Sequence, residues 1–111
     1  MDNKDKIILE KVLKEITFLQ ADTKDIAREN FLNNERLKRS VAMTLINIGE
    51  LIHILSAEFK KQNKDIPYEQ IKATRNIVAH GYQSLNFNVI YNTVKISLPE
   101  LKSKIELLLK G

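Results

Sequence analysis

A short run of polar residues in the second half of the chain has the side-chain types needed to act on a phosphate. Arg75, Asn76, His80 and Tyr82 lie close together. If this segment is helical, at about 100° per residue, Arg75, Asn76 and His80 share one polar arc. Histidine transfers protons near neutral pH, and the planar guanidinium of arginine matches phosphate oxygens. The pattern predicts a phosphate site at a helix end, with Gly81 just past the C-terminus.

Cleavage of RNA without a metal ion is one reaction that this set of residues would support. The ribose 2′-hydroxyl must be activated, the leaving 5′-oxygen protonated, and the negative charge on the phosphate stabilised. His80 would transfer protons and Arg75 would bind the phosphate. Acid and base roles are more naturally filled by two groups, and a two-fold axis beside the motif would supply the second. A structural alternative remains, in which Arg75 and His80 form a network that closes the helix end.

Composition and charge restrict the class of protein. The 111 residues, 43% of them hydrophobic, predict one globular domain spanning 1–111. There is no cysteine and there are only two histidines, so we expect neither a metal site nor a cofactor. The net charge of +4 favours an anionic partner. No apolar run approaches the roughly 18 residues of a membrane span, which predicts a cytoplasmic protein with no membrane partner.

Helical periodicity dominates the chain, which contains only three glycines and two prolines. A first amphipathic helix is predicted from about Lys4 to Gln20. Asp22 or Thr23 is expected to cap a short helical turn that continues through Phe31. The pair Asn33 and Asn34 marks the next boundary. The buried stripe of the first helix is expected to contain Leu9, Val12, Leu13, Ile16 and Leu19.

The next helix is predicted to be the longest and most apolar, from about Glu35 to Lys61. Its apolar residues form two sets on different sides, and one neighbouring helix cannot cover both. We therefore expect it to be central in the bundle and partly buried against another subunit. The continuous seam contains Val41, Leu45, Ile48, Ile52, Leu55 and Phe59, and the second set contains Met43, Ile46, Leu51 and Ile54.

The remaining boundaries follow from proline and asparagine. Pro67 suits the first turn of the helix that carries the polar motif. Asn86 is expected to cap a last helix, which Pro99 should kink or break near its middle. The stripe of that helix is expected to contain Ile90, Val94, Leu98, Leu101, Ile105 and Leu108. We interpret the basic groups as ordinary solvated surface rather than an RNA track, and they are Arg36, Lys38, Arg39, Lys60, Lys61 and Lys64.

The segment IPYEQIKATRNIVAHGY, from Ile66 through Tyr82, resembles the corresponding segment of the HepT-like toxins, a branch of the HEPN superfamily. The defining pattern there is Arg, four residues, His, one residue, Tyr, and it is met by Arg75, His80 and Tyr82. Asn76 supplies the polar residue that often follows the Arg. Two further stretches match in character and order, one around Ile48-Gly49-Glu50 and one from Asn86 through Leu101. The resemblance covers roughly Glu35 to the C-terminus, and it assigns no role to Glu50.

This resemblance implies an all-α fold, a compact bundle of four to five helices that forms a two-fold homodimer. It also implies that Arg75 and His80 of both subunits meet in a composite cleft that cleaves RNA, with Asn76 in support. The expected partner besides RNA is a minimal nucleotidyltransferase antitoxin, which attaches AMP to Tyr82. Because Tyr82 lies just past the helix end, we expect its hydroxyl to be near the cleft and reachable by that enzyme.

Three functional classes are compatible with these observations. The first is an endoribonuclease toxin acting on tRNA, mRNA or another RNA. The second is a non-catalytic subunit that partners a nucleotidyltransferase and binds nucleotides or protein without cutting. The third is a structural dimerisation module, in which Tyr82 simply anchors the helix end.

Overall fold

The computed structural model describes residues 1–68, 71 and 81–111, and every regular element within those ranges is helical. This agrees with the predicted all-α class. None of the helices in those ranges is long and apolar enough to cross a membrane. The elements are α1 (Asn3–Asp22), α2 (Arg28–Leu32), α3 (Glu35–His53), α4 (Ala57–Gln62), a 3-10 turn (Tyr82–Ser84), α5 (Phe87–Asn92), a π-helical turn (Thr93–Ser97) and α6 (Leu98–Lys110).

The core lies where α1 packs against both α3 and α6. The apolar residues predicted for each stripe are buried here, apart from Leu13 and Leu108, which are half-buried. Their recurrence every three or four positions places them on one face of each helix, so that side chains of the three helices interdigitate. The second apolar set of α3 is left more open, since Met43 is 58% exposed and Ile54, just past the helix, is 54% exposed.

The long helix predicted from Glu35 to Lys61 is two helices, which corrects the prediction. The first ends at His53, and the second begins after Ser56, whose Oγ accepts a hydrogen bond from Phe59 N at 3.1 Å. Ser56 is itself fixed by Asp5 of α1, which accepts bonds from Ser56 N at 2.9 Å and Ser56 Oγ at 2.6 Å. The apolar seam crosses the break without interruption, so periodicity gave no signal of it.

The predicted cap of α2 is also wrong. Thr23 closes α1 instead, because its N–H donates to Leu19 O at 3.1 Å and its hydroxyl donates to the same oxygen at 2.9 Å. The short helix α2 begins after Ala27 without a side-chain cap. The boundary at Asn34 is confirmed, since Asn34 Oδ1 accepts a hydrogen bond from Leu37 N at 3.0 Å and starts α3.

The C-terminal part begins where expected, because Asn86 caps α5 by accepting hydrogen bonds from Asn88 N and Val89 N.

Pro99 does not end the last helix. The chain keeps right-handed helical dihedral angles from Asn92 through Leu98 and widens into the π-helical turn just before the proline. Proline cannot donate to the carbonyl one turn back, and a wider turn is one way for a helix to accommodate that loss without ending.

Candidate active site

The structure describes one of the four residues that the sequence singled out, Tyr82. Arg75, Asn76 and His80 lie outside the described residues. Gly81 has φ of +84°, which confirms the expectation of a glycine conformation at this point. A Cβ there would meet nothing within 4 Å, so the backbone conformation alone favours glycine.

Tyr82 opens the 3-10 turn, and its ring lies between two side chains. The Arg39 guanidinium carbon is 4.4 Å from the centre of the ring, and the Phe87 ring is 5.2 Å away at an angle of 51°. The Tyr82 hydroxyl oxygen is buried and makes no hydrogen bond of good geometry with a described residue. The expectation of a reachable hydroxyl therefore does not hold in this conformation, in which the ring anchors the turn to α3 and α5.

The carboxylate of Glu35, in the first turn of α3, faces this phenol. Contact with the Tyr82 phenol, followed by contact with Lys38, holds the pKa of Glu35 below its usual value. Burial, followed by the neighbouring Glu35, raises the pKa of Tyr82. At neutral pH the pair is therefore an ionised carboxylate facing a neutral phenol.

Two cations on α3 connect this carboxylate to the two aromatic rings. Lys38 Nζ lies 3.3 Å from Glu35 Oε2 and 4.9 Å from the centre of the Phe87 ring. Arg39 Nη2 lies 3.5 Å from Glu35 Oε1, while its guanidinium covers Tyr82. We call Glu35, Lys38 and Arg39 the α3 clasp. The Glu35–Arg39 pair is exposed, and exposed ion pairs are individually weak, so the cation–π contact of Arg39 with Tyr82 adds to the hold of the clasp on this turn.

The α3 clasp was only partly visible in the sequence. A Glu followed by Lys and Arg three and four positions later is a recognisable set of helical ion pairs. Their aromatic partners come from a distant part of the chain, so no local pattern reveals them. Arg36 and Arg39 are exposed, as expected for solvated surface, but Lys38 and Arg39 each also cover a ring, which the sequence did not reveal.

A second tyrosine, Tyr68, lies on the N-terminal side of the segment that carries Arg75 and His80. Tyr68 is helical, and its hydroxyl donates to Asn63 O at 2.7 Å. Burial, with a smaller contribution from Asp65, raises the pKa of Tyr68 to about 12. Tyr68 also packs against the core, so that Tyr68 and Tyr82, on either side of the segment that carries the predicted site, both contact the bundle.

The remaining predictions concern a metal and Glu50. Across 1–68, 71 and 81–111, no group of three or more His, Asp or Glu side chains is arranged to hold a metal ion. Glu50 lines an open groove between α1 and α3 together with Lys11 and Lys14. The groove combines two cations with two carboxylates, Glu15 and Glu50, and it shares no lining residue with the α3 clasp.

Comparison with known proteins gives a consistent set of relatives. The chain matches the family described as "Ribonuclease HepT-like" over residues 11–108. "Probable ribonuclease HepT" of Thermococcus cleftensis is 30% identical over 110 residues, which cover 99% of this chain and 100% of the relative. A protein of Caldanaerobacter subterraneus subsp. tengcongensis named as a candidate RNase is 30% identical over 102 residues, covering 92% of this chain and 91% of the relative. No solved structure shows a significant match.

Proposed function

Because this chain belongs to the HepT-like ribonuclease family, we propose that it is a metal-independent endoribonuclease and the toxin of a toxin–antitoxin pair. The observation that carries the proposal is the set Arg75, His80 and Tyr82 at the spacing of that family's motif. Support comes from the residues on either side of the segment, since Tyr68 packs against the core and Tyr82 packs under Arg39. A catalytic segment must be held in position for its groups to meet a phosphate.

In the proposed reaction one His80 removes the proton from the ribose 2′-hydroxyl, whose oxygen attacks the adjacent phosphorus. The bond to the 5′-oxygen breaks, and His80 of a second copy donates a proton to that leaving oxygen. Arg75 binds the non-bridging oxygens as negative charge accumulates on them, and Asn76 supports it by hydrogen bonding. The products are a 2′,3′-cyclic phosphate and a free 5′-hydroxyl, and no metal ion takes part.

The need for a second histidine makes a homodimer part of the proposal. Met43 is 58% exposed and Ile54 is 54% exposed, so α3 and the turn that follows it present two large apolar side chains to solvent. A second copy packed against this side of α3 would remove both from water. Light scattering at micromolar concentration tests it, and a monomer with no tendency to associate would contradict the composite site.

Neutralisation is proposed to occur through nucleotidylation of Tyr82 by a cognate nucleotidyltransferase. The phenol oxygen attacks the α-phosphorus of ATP, pyrophosphate leaves, and the phenolic proton is lost to solvent. The attached AMP places a negative charge and a nucleotide beside Arg75 and His80, where both compete with the RNA strand.

The decisive experiment is cleavage of total RNA by the purified protein in EDTA. We expect cleavage by the wild type and none by His80→Ala, with helix content unchanged in both. Arg36→Ala is a matched control, because Arg36 is an exposed cation of α3 outside the α3 clasp. A wild type that binds a nucleotidyltransferase yet leaves RNA intact would favour the non-catalytic binding subunit, and activity that requires added divalent metal would contradict the mechanism.

A further inference from the structure

The phenol of Tyr82 is held in a position that does not suit an acceptor of a nucleotidyl group. Its oxygen is buried, and Arg39 and Phe87 pack on its ring. In phosphoryl transfer the attacking oxygen must lie in line with the bond to the leaving group. A buried oxygen cannot reach that geometry with ATP bound to another protein, so the ring must move before it reacts.

We propose that the α3 clasp is a latch for Tyr82, and that nucleotidylation requires the ring to leave Arg39 and Phe87. The proposal rests on the function given above, because it concerns access to the same tyrosine. Arg39 and Glu35 are positioning residues in this scheme. They determine how often the Tyr82 hydroxyl is presented to the nucleotidyltransferase, and they take no part in bond making.

The contacts of the latch are of a kind that opens without unfolding the bundle. The Glu35 and Arg39 side chains are 56% and 63% exposed, and ion pairs at such exposure contribute little. Tyr82 itself belongs to a short 3-10 turn rather than to the core. Local opening of a surface turn is much less costly than global unfolding. The closed latch therefore slows the modification of Tyr82 without preventing it.

The size of the product prevents the latch from closing again. Nucleotidylation replaces the phenolic proton by a phosphodiester and a nucleotide. In the closed position the phenol oxygen is already buried, beside the carboxylate of Glu35. Close-packed surroundings leave no room for these added atoms. The modified side chain consequently stays outside the clasp, so that one reaction both adds AMP and moves Tyr82.

The latch is tested without any partner by acetylating the full-length chain with N-acetylimidazole, which modifies phenol oxygens. Peptide masses give the rate at each tyrosine, and Tyr68 serves as an internal control because its hydroxyl bonds to Asn63 O. We expect Tyr82 to react roughly tenfold more slowly than in the urea-unfolded chain. Arg39→Ala should raise the Tyr82 rate several-fold and leave the Tyr68 rate unchanged, while Arg36→Ala changes neither. The proposal would be overturned if Tyr82 of the wild type were acetylated as fast as in the unfolded chain. It would also be overturned if Arg39→Ala raised the acetylation rates of Tyr68 and Tyr82 by the same factor.

Incubation with a cognate nucleotidyltransferase and ATP separates this inference from the function on which it rests. We expect Arg39→Ala to gain AMP several-fold faster than the wild type or Arg36→Ala. Equal rates for all three would show that Tyr82 is modified without a latch. If no variant gains AMP while acetylation behaves as expected, the latch stands and the proposed neutralisation fails. In the unmodified protein, Arg39→Ala should lower the melting temperature, because it removes the contact with Tyr82. In the modified protein this contact is already lost, so the same substitution should have no effect. An equal decrease in both forms would show that the ring returns to the clasp.

Discussion

Asp5 and Ser56 are joined by two hydrogen bonds across 51 residues of sequence, and they couple the start of α1 to the start of α4. Asp5 is 3% exposed, so the acceptors of these bonds are shielded from water. One carboxylate thereby fixes Ser56, the residue that caps α4, at the break between α3 and α4.

Asp5→Ala should therefore lower the free energy of unfolding by about 2–3 kcal/mol, because it leaves the N–H and hydroxyl of Ser56 without their acceptor. Urea denaturation followed by circular dichroism measures this. Asp22→Ala removes an exposed carboxylate from the same helix and should change the free energy by about 0.5 kcal/mol or less. Equal losses in the two variants would show that the bonds to Ser56 contribute nothing.

Arg75→Lys should reduce RNA cleavage by roughly tenfold or more while leaving RNA binding measurable. Lysine keeps the positive charge but loses the planar fork that holds two phosphate oxygens at once. Initial rates of cleavage of a fluorescent RNA are measured for Arg75→Lys and Arg75→Ala. Their comparison separates the contribution of the guanidinium geometry to cleavage from that of its charge. Full activity in Arg75→Lys would mean that Arg75 provides only a charge.

Tyr82→Phe should remain folded, cleave RNA and escape neutralisation by the nucleotidyltransferase. The ring contacts with Arg39 and Phe87 persist, and the lost hydroxyl is a buried group that makes no hydrogen bond of good geometry with a described residue. Its removal should leave the free energy of unfolding within about 1 kcal/mol of the wild type, or raise it. Intact mass after co-expression should show AMP on the wild type and none on Tyr82→Phe. An unmodified wild type held inactive in a stable complex would mean that the antitoxin blocks the cleft instead.

Alkaline pH should loosen the attachment of the motif segment at Tyr68. The pKa of Tyr68 is raised from 10.0 to about 12, so its folded form favours the neutral phenol. The stabilisation is complete below pH 10 and is lost as the pH rises from 10 through 12. Absorbance at 295 nm, together with urea denaturation at pH 9 and pH 11, measures this, and Tyr68→Phe should show a smaller loss. An equal loss in Tyr68→Phe would assign the effect to another group.

The sequence predicted which helix faces are buried better than it predicted the helix boundaries and the contacts between distant residues. Periodicity identified the buried faces of α1, α3 and α6 because helical packing depends on spacing that is local in the chain. The break before Ser56 escaped it, since Asp5, which fixes Ser56, is on another helix. The positive φ of Gly81 was predictable from its residue type. The burial of the Tyr82 hydroxyl was not, because Glu35 and Arg39 are brought to it only by the tertiary fold.

The π-helical turn at Thr93–Ser97 has a consequence for variation in chain length. Three buried residues follow one another at steps of four, namely Ile90, Val94 and Leu98. A step of four residues is longer than the 3.6 residues of an α-helical turn. The wider turn absorbs this excess, so the stretch behaves as an α-helix carrying one inserted residue. Loss of the exposed Ile96 would therefore rotate α6 far less than a deletion within α6 itself, and we expect a single-residue deletion to be better tolerated here than there.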